Sequence, residues 1–197
     1  MPNKGLLLVM MQASPDFEDE FNAWYDTEHV PERLAVPGIT TAHRFEAENG
    51  WPKYLALYDL DSVAVLDSPA YARVSGANNG PWTRRVLSRV DARRIVCEQI
   101  GPGSEAVIAS PRVAVLRFTG VPETARPEIA AGLARSFGGM PGIRQVRLFA
   151  DVETAGTLFA VVAGTLPPLA IFDPAAFGTW QDAIDLTNGY TARVPRP

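Results

Sequence analysis

The feature that most constrains this chain is a set of apolar segments too continuous for a sheet with one wet face. Leu6-Leu7-Leu8-Val9-Met10-Met11, Tyr54-Leu55-Ala56-Leu57 and the stretch over 157–162 show no polar alternation. Strands of that kind are buried on both faces. The first run is far short of the ~20 residues of a membrane span. It is also short for a secretory leader, of which Lys4 and Gln12-Ala13-Ser14 give a faint outline. The reading is a buried strand in a cytoplasmic protein.

Helical and extended patterns alternate in a repeated order. Strands are expected over 6–12, 39–46, 54–60 and 94–100, with helices over 16–28 and 62–74. After the connector that begins Gly101-Pro102-Gly103-Ser104 and runs to Pro111, strands are expected over 112–119, 143–150 and 157–165. Helices over 123–137 and 173–186 and a short last strand over 190–194 complete the second half. That order is β-α-β-β-α-β twice. The fold class is α+β: ferredoxin-like repeats over 1–100 and 112–197, joined by a linker over 101–111. Val36-Pro37-Gly38-Ile39 is echoed by Met140-Pro141-Gly142-Ile143, and Phe45 and Phe149 follow at equal distance. One ferredoxin-like sheet carries helices on one face, so its other face needs a cover. Two such sheets, packed or closed into a barrel with a lined interior, supply it. Duplication permits a monomer, but an open edge at a short last strand favours a homodimer.

Composition removes several function classes. The 197 residues carry a formal charge of −4, with 47% apolar and 20% charged residues. This is an ordinary globular balance without the basic footprint of a nucleic-acid binder. Cys97 is the one cysteine, and His29 and His43 are the two histidines. A disulfide framework and a three-histidine metal site within one chain are thus excluded. No glycine-rich phosphate loop supports a nicotinamide or flavin cofactor, and no ligand spacing points to a metal. Cys97 reads as a small core residue.

The chemistry concentrates in the segment from Asp16 to Pro31. Ser14 suits an N-cap, Pro15 the first helical position, and acids follow in the first turn. Pro31 disfavours helix at Val30, so the helix is expected to end near His29. Phe17, Phe21 and Trp24 form the core stripe, and Glu28 falls at its end, where a carboxylate needs a partner or a polar cavity. Tyr25 and His29 share the adjoining face with Asn22 and Asp26. His29 titrates near neutrality when unperturbed, a helix C-terminus favours its cation, and Asp26 or Glu28 could orient it. The plainer alternative is a capping cation beside a surface acid. His43 shares a strand face with Ile39, Thr41 and Phe45, opposite Ala42, Arg44 and Glu46. Which face is interior stays open. Arg85, Arg89 and Arg93 are spaced for one helix stripe, either a solvated or ion-paired face or, through Arg84 or Arg85 beside Trp82, a site for an anionic substrate group.

The run from Phe21 to Leu34, containing Trp24-Tyr25-Asp26-Thr27-Glu28-His29-Val30-Pro31, then Val36-Pro37-Gly38-Ile39 and Ala42-His43-Arg44-Phe45, resembles the EthD-like proteins of the dimeric α/β-barrel superfamily. Tyr54-Leu55-Ala56-Leu57-Tyr58-Asp59-Leu60, Ser68-Pro69-Ala70-Tyr71 and Pro81-Trp82-Thr83-Arg84-Arg85 continue the likeness, which covers roughly residues 5–100. The second half shares the fold pattern and the Pro-Gly turn only. The resemblance implies a barrel with a pocket between sheet and helices. The superfamily includes cofactor-free monooxygenases, polyketide cyclases, muconolactone isomerases and haem-degrading enzymes. Asn22, Trp24 and His29 echo a haem-degrading residue set, but on one short helix they do not form that arrangement.

The function expected is a cofactor-independent enzyme acting on a hydrophobic aromatic or polyketide-like compound by general acid–base chemistry, as an isomerase, cyclase or monooxygenase-like catalyst. The alternative is a non-catalytic binder of a small apolar ligand. The catalytic candidates are His29, Asp26 and Glu28. The candidate substrate contacts are Asn22, Trp24, Tyr25, His43, Tyr58, Trp82 and Arg84. The partner expected is a small hydrophobic molecule, with no cofactor, metal, nucleic acid or membrane.

Overall fold

A computed structural model of the chain describes residues 3–101, 106 and 108–194. Eight strands run in chain order as β1 (Gly5–Gln12), β2 (Ile39–Ala47), β3 (Tyr54–Leu60), β4 (Asp91–Gly101), β5 (Arg112–Phe118), β6 (Ile143–Asp151), β7 (Leu158–Gly164) and β8 (Ile184–Ala192). They close into a barrel in the order β1-β3-β2-β8-β5-β7-β6-β4. Every ladder is antiparallel. Among the described residues the α-helices are α1 (Glu18–Trp24), α2 (Val30–Leu34), α3 (Pro69–Ala72), α4 (Pro81–Leu87) and α5 (Arg126–Phe137).

Closure explains the continuous apolar runs. One set of side chains points into the barrel, where Leu6, Leu8, Phe45, Leu57, Phe149 and Phe159 fill the interior. The barrel is therefore a packed core, and its lining leaves the functional space outside it. The alternate set on β1 and β3, including Leu7, Met11, Tyr54 and Tyr58, packs beneath α1 with Phe17, Phe21 and Trp24. A third layer forms where α5 and Phe177 cover Leu116, Leu158 and Val162. Cys97 lies fully buried in the interior.

Several expected elements differ. The helix expected to stop near His29 runs on to Leu34 through a wide turn. The helix expected over 62–74 is a 3-10 turn, Val63–Asp67, followed by the four-residue α3. The region expected to be helical over 173–186 is 3-10 structure, Pro174–Ala183, broken at Gly178, where φ is +56°. β8 then starts at Ile184 and takes nine residues. A short last strand with an open edge is thus corrected: β8 is long enough to bridge β2 and β5. The single-helix arginine stripe is also corrected, because Arg85 is on α4 while Arg93 and Arg94 are on β4. Within the expected linker, 101–111, residues 102–105 and 107 lie outside the described residues, and Gly101 is the last residue of β4.

The packing of α5 gives a test with an unexpected sign. Alanine is preferred over glycine within a helix by about 1 kcal/mol. A Cβ built on Gly132 would lie 2.5 Å from Cδ1 of the buried Phe177 ring. Gly132→Ala should therefore lower stability in urea, by roughly 1–3 kcal/mol, and Phe177→Leu in the same chain should recover part of the loss.

Candidate active site

The site is built by a helix that passes a proline. Pro31 has no N–H to donate, and its ring would crowd the carbonyl four residues back in a regular helix. The chain instead adopts a π-turn over Tyr25–His29, in which the Val30 N–H donates to the Tyr25 carbonyl. The Thr27 hydroxyl donates to the Ala23 carbonyl at 2.7 Å. The wider turn presents Trp24, Tyr25 and His29 to one another. The His29 ring lies 4.3 Å from the Trp24 centroid and 5.0 Å from that of Tyr25, with Tyr58 at 6.4 Å.

These four rings border a cavity of about 360 Å³ between the outer face of the sheet and the helices. Its floor is Leu7, Val9 and Met11 of β1, with Tyr58 opposite Leu7 in register. Arg33 of α2 and Tyr71 of α3 close one side, and Arg94, opposite Val9 on β4, stands on another. The Arg33 guanidinium lies 5.2 Å from the Tyr71 ring and donates to the Val74 carbonyl at 2.5 Å.

His29 is buried, and its Nδ1 has no hydrogen-bond partner among the described residues. Burial holds its pKa well below the usual histidine value, reinforced by the positive charges of Arg33 and then Arg44. The expectation of an imidazole titrating near neutrality, held by Asp26 or Glu28, is corrected. Helix continuation to Leu34 also removes the helix C-terminus from His29. The Tyr58 phenol is pushed well above its usual range and Tyr25 is raised, both chiefly by burial. The Tyr25 hydroxyl donates to Met11 Sδ at 3.2 Å.

The two carboxylates serve other partners. Asp26 forms a buried ion pair with Arg44, whose Nη2 also donates to Asn22 Oδ1 at 2.8 Å. The Arg44 guanidinium lies 4.1 Å from the Tyr25 ring centre. Glu28 Oε1 accepts from the Thr83 hydroxyl at 2.9 Å, and Thr83 Oγ1 accepts from Trp24 Nε1 at 3.0 Å. Glu28 therefore fixes, through Thr83, the indole that packs, tilted by 35°, against His29.

The structure brings Trp24, Tyr25, His29 and Tyr58 together and leaves the other candidates apart. Asn22 donates to the Tyr54 hydroxyl at 3.3 Å, away from the cavity. A bulge between Ile39 and Thr41 turns Ile39 toward the helices, where Ala42 and Arg44 also face. His43 is placed on the other side of β2 with Phe45, and both border a second cavity together with Asp26. Trp82 packs on the outer cluster without lining the His29 cavity, and Arg84 is exposed and donates to the Asn79 carbonyl at 2.5 Å. Arg33, Tyr71 and Arg94 were not anticipated. Arg33 is four residues beyond His29, a spacing hidden by the assumption that Pro31 ends the helix.

No protein-family profile matches the chain, and no curated protein sequence does. Solved structures do match in fold. An anthrone oxidase-like protein aligns with TM-score 0.68 at 11% identity, over 100% of this chain and 93% of its own. A putative monooxygenase from Lactobacillus acidophilus gives 0.60 at 8% identity, over 97% and 93%. A chlorite dismutase variant from Candidatus Nitrospira defluvii gives 0.64 at 8% identity, over 98% and 93%. The architecture is that of the dimeric α/β-barrel-type proteins.

The Asp26–Arg44 pair supports the helix above the cavity and is nearly excluded from solvent. Removing one member leaves a buried charge uncompensated, at a cost of about 3–5 kcal/mol. Asp26→Ala should show a loss of that order in chemical denaturation. The double variant Asp26→Ala/Arg44→Met should recover most of it.

Proposed function

We propose that this chain is an enzyme that removes a proton from a carbon acid: a hydrophobic, aromatic or polyketide-like molecule bound against Trp24, Tyr25 and Tyr58. The observation that carries the reading is the His29 imidazole. It is buried, kept in its neutral form, and has an Nδ1 that no protein group occupies, beside a cavity of about 360 Å³. A neutral imidazole is a base without a deprotonation penalty at neutral pH. In the step, the substrate C–H bond breaks, its electron pair remains as an enolate, and the proton moves to Nδ1. Arg33 opposes the imidazolium at rest, and Arg33 and Arg94, on different sides of the cavity, offset the enolate charge as it develops. That carbanion can be reprotonated elsewhere, attack a carbonyl to close a ring, or reduce dioxygen. Proton removal is thus the step shared by an isomerase, a cyclase and a monooxygenase-like enzyme that works without a cofactor.

The likeness in fold to an anthrone oxidase-like protein and to putative monooxygenases supports this class of substrate. Helical segments follow the first and third strands of each half, although that between β7 and β8 is 3-10 structure, and this order supports two ferredoxin-like repeats over 1–100 and 112–197, the first an EthD-like unit that carries the base. We read the protein as cytoplasmic, in keeping with its one buried thiol. Among the described residues no helix is long and apolar enough to cross a membrane.

Anthrone, a tricyclic aromatic ketone with an activated methylene, is a suitable probe. In D2O, the wild type should accelerate deuterium incorporation at that methylene, read by NMR. His29→Gln should lose about 10²–10⁴-fold of the acceleration. Binding of anthrone without any acceleration in the wild type would favour the non-catalytic binder. The rate should stay flat with falling pH through about 6.5, the ordinary histidine value, and drop only well below it, as His29 gains a proton.

A further inference from the structure

The two halves of the barrel meet along two short seams, β4–β6 and β2–β8. β4 and β6 pair over four positions, from Cys97↔Asp151 to Gly101↔Leu148. β2 and β8 pair over three, Phe45↔Ala192 to Ala47↔Tyr190. The Arg44 carbonyl still accepts from the Arg193 N–H at 2.8 Å, and among the described residues 39–43 of β2 have no ladder partner on the β8 side. A cavity of about 250 Å³ occupies the gap, between the Asp26 and Val30 helix and the connector residues Ala109 and Ser110. It is separate from the His29 cavity, and Arg44, which stacks on Tyr25, belongs to the wall between them.

The polar groups of this second cavity are unevenly used. Arg44 spends its Nη atoms on Asp26 and Asn22. Arg193 reaches Glu46 through Nη1 at 3.4 Å, and Glu46 is shared with Lys53 at 3.3 Å. Two buried groups on the wall have no hydrogen-bond partner among the described residues: Arg193 Nε and the hydroxyl of Ser110, a residue 6% exposed. Guanidinium Nε–H can only donate, and a hydroxyl can donate as well. Leaving such groups buried and unpaired is costly. His43 stands beside them, and Ala42, Phe45, Ala109 and Ala192 make the rest of the surface apolar.

From this we infer that the cavity is a binding site for a small carboxylate with an apolar body, such as an aromatic acid. The carboxylate accepts from Arg193 Nε and Ser110 Oγ, and the body lies on Phe45. A charge-assisted bond from guanidinium to carboxylate is about twice as strong as a neutral one, so an acid is preferred over its amide. This site does not depend on catalysis at His29.

The two histidines report on the two cavities separately. The full-length chain, labelled at histidine and assigned with His29→Gln, is titrated with sodium benzoate at constant ionic strength and followed by imidazole NMR. The expected result is a saturable shift of the His43 resonances with those of His29 nearly stationary. Arg193→Met and Ser110→Ala, each confirmed folded by its spectrum, should weaken benzoate binding by about tenfold or more, and benzamide should bind more weakly than benzoate. The inference is overturned if His43 shows no saturable shift, if His29 responds in its place, or if the variants or benzamide match wild-type benzoate.

Discussion

Pro31 cannot donate the hydrogen bond that a regular helix asks of it, and the chain answers with one wide turn instead of stopping. That turn is the constraint on which the site rests. It brings Trp24 and Tyr25 together against His29. It also carries the helix far enough for Arg33 to join the cavity. The indole is fixed by Thr83 and Glu28 and the phenol ring by Arg44 stacked beneath it. The base is therefore positioned by its neighbours while Nδ1 is left unoccupied.

The electrostatics follow from burial. A neutral imidazole can be buried at low cost, whereas an imidazolium beside Arg33 and Arg44 cannot. Pairing Asp26 with Arg44 removes the carboxylate that would otherwise have favoured the cation. The barrel contributes by being full: with Leu8, Phe45 and Phe159 filling its interior, the His29 cavity lies outside it, and the second cavity touches that filling at Phe45 and Ala192. One is roofed by the wide turn and the other opens at the short β2–β8 ladder.

Much of the fold was legible because burial on both faces writes itself into Leu6–Met11 and Tyr54–Leu57 as missing alternation. Tyr54–Leu60 was placed to the residue. The irregular elements were not legible. A proline normally argues against continued helix, and a π-turn leaves no periodic signal over five residues, so Glu28 and Asp26 were rotated toward the wrong partners. The 3-10 segment over Pro174–Ala183 has helix-like composition, and only Gly178 marks the break. The face of His43 depended on the bulge after Ile39, a one-residue irregularity that spacing cannot reveal. Trp24, Tyr25, His29 and Tyr58 could be anticipated as a set. Arg94 and Leu7 could not, since they arrive through strand register.

The central claim is that His29 is a dry, neutral base. The most direct measurement is the 15N shift of its ring nitrogens as a function of pH in the free protein. The account predicts that both nitrogens keep neutral-imidazole values down through pH 6.5, with protonation only at markedly lower pH. A midpoint at or above 6.5 would contradict it.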